Sequence, residues 1–137
     1  MTIGLLALTV ATLFTGAAIY VNVAEQPARL MLDDRALLTE WKPSYKRGAA
    51  MQAPLALLGF ALGMIAWWQN AHPGFLIGAI AMIAPWPWTL LGIKPTNDAL
   101  LATDPERAGP QSRALIIRWG ALHAVRTASG ALASAQE

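Results

Sequence analysis

The segment that decides the fold is residues 48–93, GAAMQAPLALLGFALGMIAWWQNAHPGFLIGAIAMIAPWPWTLLGI, which contains no Asp, Glu, Lys or Arg. Residues 1–24 and 127–136 are also free of these charged residues. A soluble helix keeps a polar face on every turn, whereas a helix that crosses a bilayer needs about 20 apolar residues. The stretch Asn70-Ala71-His72-Pro73-Gly74 divides the long segment, and its Pro-Gly pair suits a turn or a helix start. The pattern therefore predicts membrane-spanning helices.

The composition of the whole chain supports a membrane protein. Of its 137 residues, 55% are hydrophobic and only 13% are charged, whereas a soluble domain carries roughly 25% charged residues. This excludes a soluble domain and a disordered chain, and the length suggests one domain, residues 1–137. We predict an all-α integral membrane four-helix bundle with up-down-up-down order. The predicted spans are residues 3–23, 48–69, 74–93 and 111–135.

Most charged residues fall in two connections, residues 24–47 and 94–110. We expect a short helix in the first, capped by Asp33 or Asp34, and an irregular second loop because it is rich in proline. The positive-inside rule places both loops in the cytoplasm and both termini outside. The predicted location is the bacterial inner membrane. The basic residues that decide this orientation are Arg29, Arg35, Lys42, Lys46, Arg47, Lys94, Arg107 and Arg113.

Several kinds of site are absent or weakly supported in the sequence. The chain has no cysteine, which excludes disulfides and cysteine metal sites. No basic run is interleaved with aromatic residues, so we expect no nucleic-acid partner. One histidine inside a predicted span offers too few ligands for a metal. A haem with His123 as its axial ligand is a minor alternative to a cofactor-free site.

The fourth predicted span contains the polar residues that cost the most free energy to place in a bilayer. Trp119, His123 and Arg126 are spaced i, i+4 and i+7, which places them on one helical face. Arg126 lies near the predicted midplane, where a charge needs a partner or a function. It is either a structural cation or part of a substrate or cofactor site. Small residues on this span predict close helix packing, namely Gly120, Ala124, Ala128, Gly130 and Ala131.

The end of the first span carries a second polar group. Asn22, Glu25 and Arg29 fall on one helical face if the helix is regular, and Pro27 is expected to kink or end it. Glu25 and Arg29 form either a solvated i, i+4 ion pair or parts of a site. In the second case Glu25 pairs across the bundle with Arg118 or Arg126.

Two prolines interrupt the third span. Pro85 and Pro87 free the carbonyls of Ala81 and Ile83, and we expect Arg126 or His123 to bond one of them. Trp86 and Trp88 either line the same cavity or belong to an interfacial aromatic belt.

With these motifs in place, the sequence resembles the anthrone oxygenase-like family of small four-span membrane proteins, many of which have no defined function. The resemblance covers nearly the whole chain. The segments that carry it are Gly16, residues 20–29 (YVNVAEQPAR), Trp41, residues 45–48 (YKRG), Gln52, Trp88-Thr89, residues 95–100 (PTNDAL) and residues 119–126 (WGALHAVR).

The resemblance implies that dioxygen oxidises the ring methylene of an anthrone-type aromatic to a quinone, without a cofactor. In such a reaction His123 is the candidate base and Arg126 the candidate cation for the developing negative charge. Asn97 has a second interpretation, as the cap of a short loop helix. The candidate substrate-binding residues are Asn22, Glu25, Arg29, Tyr45, Trp88, Thr89, Asn97 and Trp119.

Two other functions stay open at this point. The chain is alternatively an accessory subunit of a larger membrane complex, or a binder of hydrophobic small molecules. The expected partners are membrane lipids and a hydrophobic aromatic small molecule, and a homo-oligomer is a further alternative. The absence of an internal repeat argues against an alternating-access transporter.

Overall fold

The computed structural model describes residues 2–136 and is helical almost throughout, with no strand in that part of the chain. Met1 and Glu137, and with them the predicted positions of the two termini, lie outside the described residues. The all-α prediction is confirmed. The four long helices are α1 (Thr2–Arg29), α2 (Asp34–Asn70), α3 (Pro73–Ala102) and α4 (Pro110–Gln136).

Helices α1 and α3 each contain a π-helical turn. In α1 it covers Val21–Glu25, between the α-helical segments Thr2–Tyr20 and Gln26–Arg29. In α3 it covers Thr89–Ile93. The α-helical parts of α3 are Pro73–Ile83, Pro85–Trp88 and Lys94–Ala102.

Three of the four helices, α1, α2 and α3, are long and apolar enough to cross a membrane. Large apolar side chains on these helices point outward, as expected for contact with lipid; Leu13, Leu58 and Ile80 are each about half exposed. Helix α4 has a comparable length but carries Arg113, Arg118 and Arg126. The sequence predicted four spans, and length and composition support three.

The predicted loop at residues 24–47 is mostly helix, so the expectation of a short helix is wrong. Helix α2 begins at Asp34 and continues for 37 residues into the charge-free segment. Asp33 caps it as predicted, because its Oδ1 accepts a 2.8 Å hydrogen bond from the Ala36 N–H. The charged residues form a polar face here, while Leu37, Leu38 and Trp41 are buried on the other face.

The predicted irregular loop at residues 94–110 is also partly wrong, because the α-helix Lys94–Ala102 occupies its first half. Pro95 lies in the first turn of that segment, where a missing N–H is tolerated. Asn97 is buried inside the helix and does not cap it. The connection that remains contains a short 3₁₀ turn, Pro105–Arg107.

The four helices pack as a closed ring of neighbours, in which α1 and α3 each contact both α2 and α4. Of the small residues predicted to allow close packing, Gly120 and Gly130 do so. A Cβ at Gly130 would lie 2.8 Å from the Phe14 ring on α1, and one at Gly120 would lie 2.7 Å from the Gln26 side chain. The prediction is wrong for its three alanines, because Ala124, Ala128 and Ala131 are exposed.

Candidate functional site

A cavity of about 510 Å³ lies between the four helices, beside the charged end of α1 and the charged first part of α2. Its volume is within the range of about 300–1,000 Å³ that is typical of small-molecule sites. Most of its surface is apolar. Seven of the ten predicted site residues line it, namely Glu25, Arg29, Tyr45, Asn97, Trp119, His123 and Arg126.

The His123 ring is held by a side chain of α1. Its Nδ1 lies 3.1 Å from Asn22 Oδ1, which also accepts a 2.6 Å hydrogen bond from Thr127 Oγ1. Asn22 Nδ2 donates to the Gly120 carbonyl at 3.0 Å. Asn22 therefore lies behind the histidine and outside the cavity lining.

This network assigns the tautomer of the neutral His123 ring. A carbonyl only accepts hydrogen bonds, so the contact with Gly120 orients the Asn22 amide with its oxygen toward the ring. His123 Nδ1 must then be the donor. In the neutral ring, Nε2 is consequently left with its lone pair, and it has no hydrogen-bond partner within residues 2–136. The ring thus has an acceptor nitrogen available to a ligand.

Arg126 lies near His123 without a counter-ion. Its guanidinium carbon lies 5.9 Å from the centre of the Phe14 ring, within range of a cation–π contact. Its Nε is buried and has no hydrogen-bond partner within the described residues. No carboxylate described in the structure forms an ion pair with Arg126 or Arg118, so the alternative in which Glu25 pairs across the bundle with one of them is wrong.

The expected contact between this region and the kinked third span is also wrong. The Ala81 carbonyl, which Pro85 frees, accepts a 2.5 Å hydrogen bond from Ser129 Oγ. Neither Arg126 nor His123 bonds it. Ser129 lies one turn beyond Arg126 on α4. Its neutral hydroxyl donates to the Ala81 carbonyl, so the Arg126 guanidinium does not form this hydrogen bond.

Arg29 forms the polar wall of the cavity. It is only 3% exposed, pairs with Glu25, and has its Nε 3.1 Å from Glu40 Oε2. The predicted i, i+4 pair is therefore present, and its Arg29 member is buried, because Arg29 also stacks over the Trp119 ring at 5.5 Å. Burial raises the pKa of Glu40, which precedes the apolar part of α2; Arg29 opposes this shift and Glu25 adds to it.

Aromatic rings form another wall. Trp41 stacks on Tyr45 with ring centres 5.0 Å apart, and Trp119 stacks on His123 at 5.1 Å. Tyr45 Oη accepts a 3.2 Å hydrogen bond from Asn97 Nδ2. Tyr45 and Trp119 therefore present rigid faces to the cavity.

Besides Asn22, two predicted site residues lie outside the cavity lining. Trp88 donates from Nε1 to the Leu122 carbonyl at 3.0 Å and packs against the hydrophobic core, outside the cavity lining. Thr89 lines a separate small chamber that borders on Tyr45 and Arg126. Trp86, which is 38% exposed, lines the same chamber.

Comparison with known proteins assigns the chain to a family. The family model for anthrone oxygenase matches residues 41–135, which is more than half of the chain. The chain belongs to the anthrone oxygenase family. No curated protein and no solved structure matches it. In this anthrone oxygenase family member, the matched region includes His123 and Arg126 but begins after α1, which supplies Asn22 and Arg29.

Sequence reasoning missed Gln52, Ser44 and Arg47, which also line the cavity of this family member. Gln52 is buried, and its Nε2 lies 3.4 Å from the Phe14 carbonyl while its Oε1 has no partner within residues 2–136. The sequence contains a signal for Gln52, because this residue places an amide near the start of a charge-free segment. Polar side chains inside membrane spans are often functional.

The two π turns of this anthrone oxygenase family member border the site. The Gln26 N–H donates to the Val21 carbonyl, and the Lys94 N–H donates to the Thr89 carbonyl. Each turn holds one residue more than an α-helical turn, which rotates the following side chains relative to the preceding ones. Such turns are frequent at functional sites. The turn in α1 lets Asn22 contact α4 while Glu25 and Arg29 line the cavity.

Proposed function

We propose that this anthrone oxygenase family member is a membrane monooxygenase that uses dioxygen, without a cofactor, to oxidise a lipophilic aromatic of the anthrone or quinol type. The observation that carries the proposal is one cavity that combines a hydrogen-bond-accepting His123 Nε2, an Arg126 without a counter-ion, and aromatic walls. A base and a cation are the two groups that this oxidation requires from a protein.

The proposed reaction begins with proton transfer from the ring methylene to His123 Nε2, which leaves an enolate. One electron passes from the enolate to dioxygen and gives superoxide and a carbon radical, which combine into a peroxide anion. His123 returns its proton to the outer oxygen. His123 then takes the second methylene proton, the O–O bond breaks and hydroxide leaves. The hydroxide receives that proton, so that the CH₂ group and O₂ become a carbonyl and one water.

The other residues that line the cavity orient the substrate in this proposal. Trp119 and Tyr45 contact the faces of the fused rings, and Asn97 bonds a polar substituent. Arg126 stabilises the enolate and the superoxide, since a fixed cation in an apolar cavity is worth more than one in water. Arg29 and Glu25 bond substituents at the polar wall.

The proposal also includes an arrangement in the membrane. All four helices, including α4, span the bilayer in up-down-up-down order, and the charged segments face the cytoplasm of a bacterium. Small residues and the ring of helix contacts support the inclusion of α4. The cavity then lies in the cytoplasmic half of the bundle, where a substrate enters from the cytoplasm or from lipid.

Oxygen uptake by purified protein in lipid nanodiscs tests the function. With a hydroxyanthrone as substrate, we expect dioxygen to be consumed in a ratio of one to one with quinone formed. His123→Ala should lower the turnover at least 100-fold, because general-base catalysis contributes about 10²–10⁴-fold. His72→Ala is the matched control and should keep full turnover, since His72 is exposed and is the chain's other histidine.

Unchanged turnover in His123→Ala would remove His123 as the base. A visible absorption band in the purified protein would contradict the cofactor-free reaction. Tight binding of the hydroxyanthrone without oxygen uptake would instead support a binder of hydrophobic small molecules. Copurification with other membrane proteins and no uptake would support an accessory subunit.

A further inference from the structure

A second, smaller cavity of about 150 Å³ adjoins the main one, and we call it the side chamber. Arg126, Tyr45 and Ala49 line both cavities, so they form the boundary between them. The remaining walls of the side chamber come from one further residue of α2 and three of α3, namely Ala53, Trp86, Thr89 and Leu90.

Two residues that line the side chamber, Thr89 and Arg126, each carry a polar atom without a partner among the described residues. Thr89 Oγ1 and Arg126 Nε are both buried and have no hydrogen-bond partner within residues 2–136. A buried donor without a partner is costly, and none of the residues that line the chamber is acidic. The two groups therefore suit a small ligand with acceptor atoms and negative charge.

The size and surroundings of the side chamber limit further which ligands it can bind. A cavity of about 150 Å³ holds a molecule of the size of benzene or xenon and is too small to enclose three fused rings. Trp86 and Leu90 are 38% and 57% exposed on the outer surface of the bundle. This surface faces lipid in the proposed arrangement, and dioxygen is more soluble in lipid than in water.

We propose that the side chamber is the binding site for dioxygen and for the superoxide formed from it, with the Thr89 hydroxyl and the Arg126 guanidinium as the hydrogen-bond donors. This inference rests on the proposed function, which supplies dioxygen as the oxidant. The enolate in the main cavity loses one electron and becomes a neutral radical, while dioxygen gains that electron and becomes superoxide. The negative charge thus moves across the boundary at Arg126 and stays beside the same guanidinium.

Azide, a small linear anion, is a probe for superoxide that needs no turnover. Infrared spectra of the full chain in nanodiscs should show a saturable azide band that is shifted from that of free azide. Thr89→Val keeps the side-chain shape and removes one hydrogen bond to an ion, so it should weaken azide binding about tenfold or more. It should also raise the KM for dioxygen and leave the KM for the hydroxyanthrone unchanged.

Thr9→Val is the matched control and should change neither quantity, because Thr9 is an exposed residue of α1 that bonds the Leu5 carbonyl. Ala53→Phe, at a residue that lines only the side chamber, should abolish the azide band. A wild-type protein without a saturable band would overturn the inference, even if oxygen uptake is normal. A Thr89→Val protein with normal azide binding and a normal KM for dioxygen would also overturn it. If the wild type binds azide in this way but shows no uptake, the proposed function fails and the anion site stands.

Discussion

At the scale of single residues, the two histidines of the chain have opposite hydrogen-bond roles. His72 Nδ1 accepts from the Gly74 N–H at 3.1 Å, so the proton of the neutral ring is on Nε2. His123 Nδ1 faces the Asn22 oxygen, so its proton is on Nδ1. Asn22 is therefore a positioning residue, because it determines which nitrogen of His123 is free to accept a proton.

Replacement of the Asn22 amide should lower kcat without changing the KM for the hydroxyanthrone. Asn22→Leu has a similar size and removes the acceptor for His123 Nδ1, so the ring loses its tautomer preference and its orientation. We expect kcat to fall about 10–100-fold, in line with the effect of removing groups that orient a functional histidine, while the KM for the hydroxyanthrone stays the same. Nitrogen-15 NMR of labelled histidine checks the tautomer directly, with the His72 signal as an internal reference.

Asn70→Leu is the control for this substitution, since Asn70 is an exposed amide that bonds only the Ala66 carbonyl of its own helix. It should leave kcat and both histidine signals unchanged. An Asn22→Leu protein that keeps the wild-type His123 signal would show that the ring is oriented by other contacts.

At the scale of elements, irregularities in α1 and α3 position the site. Both helices contain a π turn beside the cavity, and α3 also contains Pro85 and Pro87. Ser129 compensates for the proline kink by bonding the Ala81 carbonyl. The kink therefore depends on α4 for its missing hydrogen bond, and this couples α3 to the helix that carries His123 and Arg126.

Loss of this compensation should destabilise the fold. Ser129→Ala leaves the Ala81 carbonyl without its partner, which should cost about 1–3 kcal/mol in the free energy of unfolding. Thermal unfolding in detergent, followed by circular dichroism, measures the change. Ser134→Ala is the matched control and should cost less, because Thr15 keeps its own bond to the Ala11 carbonyl. Equal losses in the two variants would contradict this role for Ser129.

At the scale of the whole molecule, the distribution of charge separates the bundle into two ends. The charged end of α1 and the charged first part of α2 lie beside the cavity. At the opposite end, the turn at Ala71 and His72 connects the charge-free parts of α2 and α3. Positive residues cluster on the cytoplasmic side of membrane proteins. The cavity should therefore be on the cytoplasmic side.

The absence of cysteine from the chain allows a direct test of this orientation. Single cysteines at the exposed positions Lys46, Gln69, Arg107 and Ala135 can be labelled with a membrane-impermeant maleimide. On intact spheroplasts we expect labelling at Gln69→Cys and Ala135→Cys, and in inside-out vesicles at Lys46→Cys and Arg107→Cys. Labelling of Arg107→Cys and Ala135→Cys from the same side would show that α4 does not span the membrane.

Much of the fold and part of the site were predictable from the sequence. The helical class follows from charge-free segments of the length of a bilayer, and the shared face of Trp119, His123 and Arg126 follows from their spacing. The loop prediction at residues 24–47 failed because charged residues do not exclude a helix, and the prediction at residues 94–110 failed in part because Pro95 lies in the first turn of a helix, where a missing N–H is tolerated. A helix that extends beyond the membrane carries such residues on its polar face while burying Leu37 and Trp41 on the other.

The sequence by itself determined the helices, their apolar character and which residues of one helix share a face, because periodicity is a property of a single helix. Only the tertiary structure decided that Asn22 holds His123, that Ser129 rather than Arg126 bonds Ala81, and that Arg126 lies between two cavities. These contacts depend on the rotation and axial position of each helix relative to its neighbours. A π turn changes the rotation by adding one residue to a turn, and packing between helices decides whether it forms.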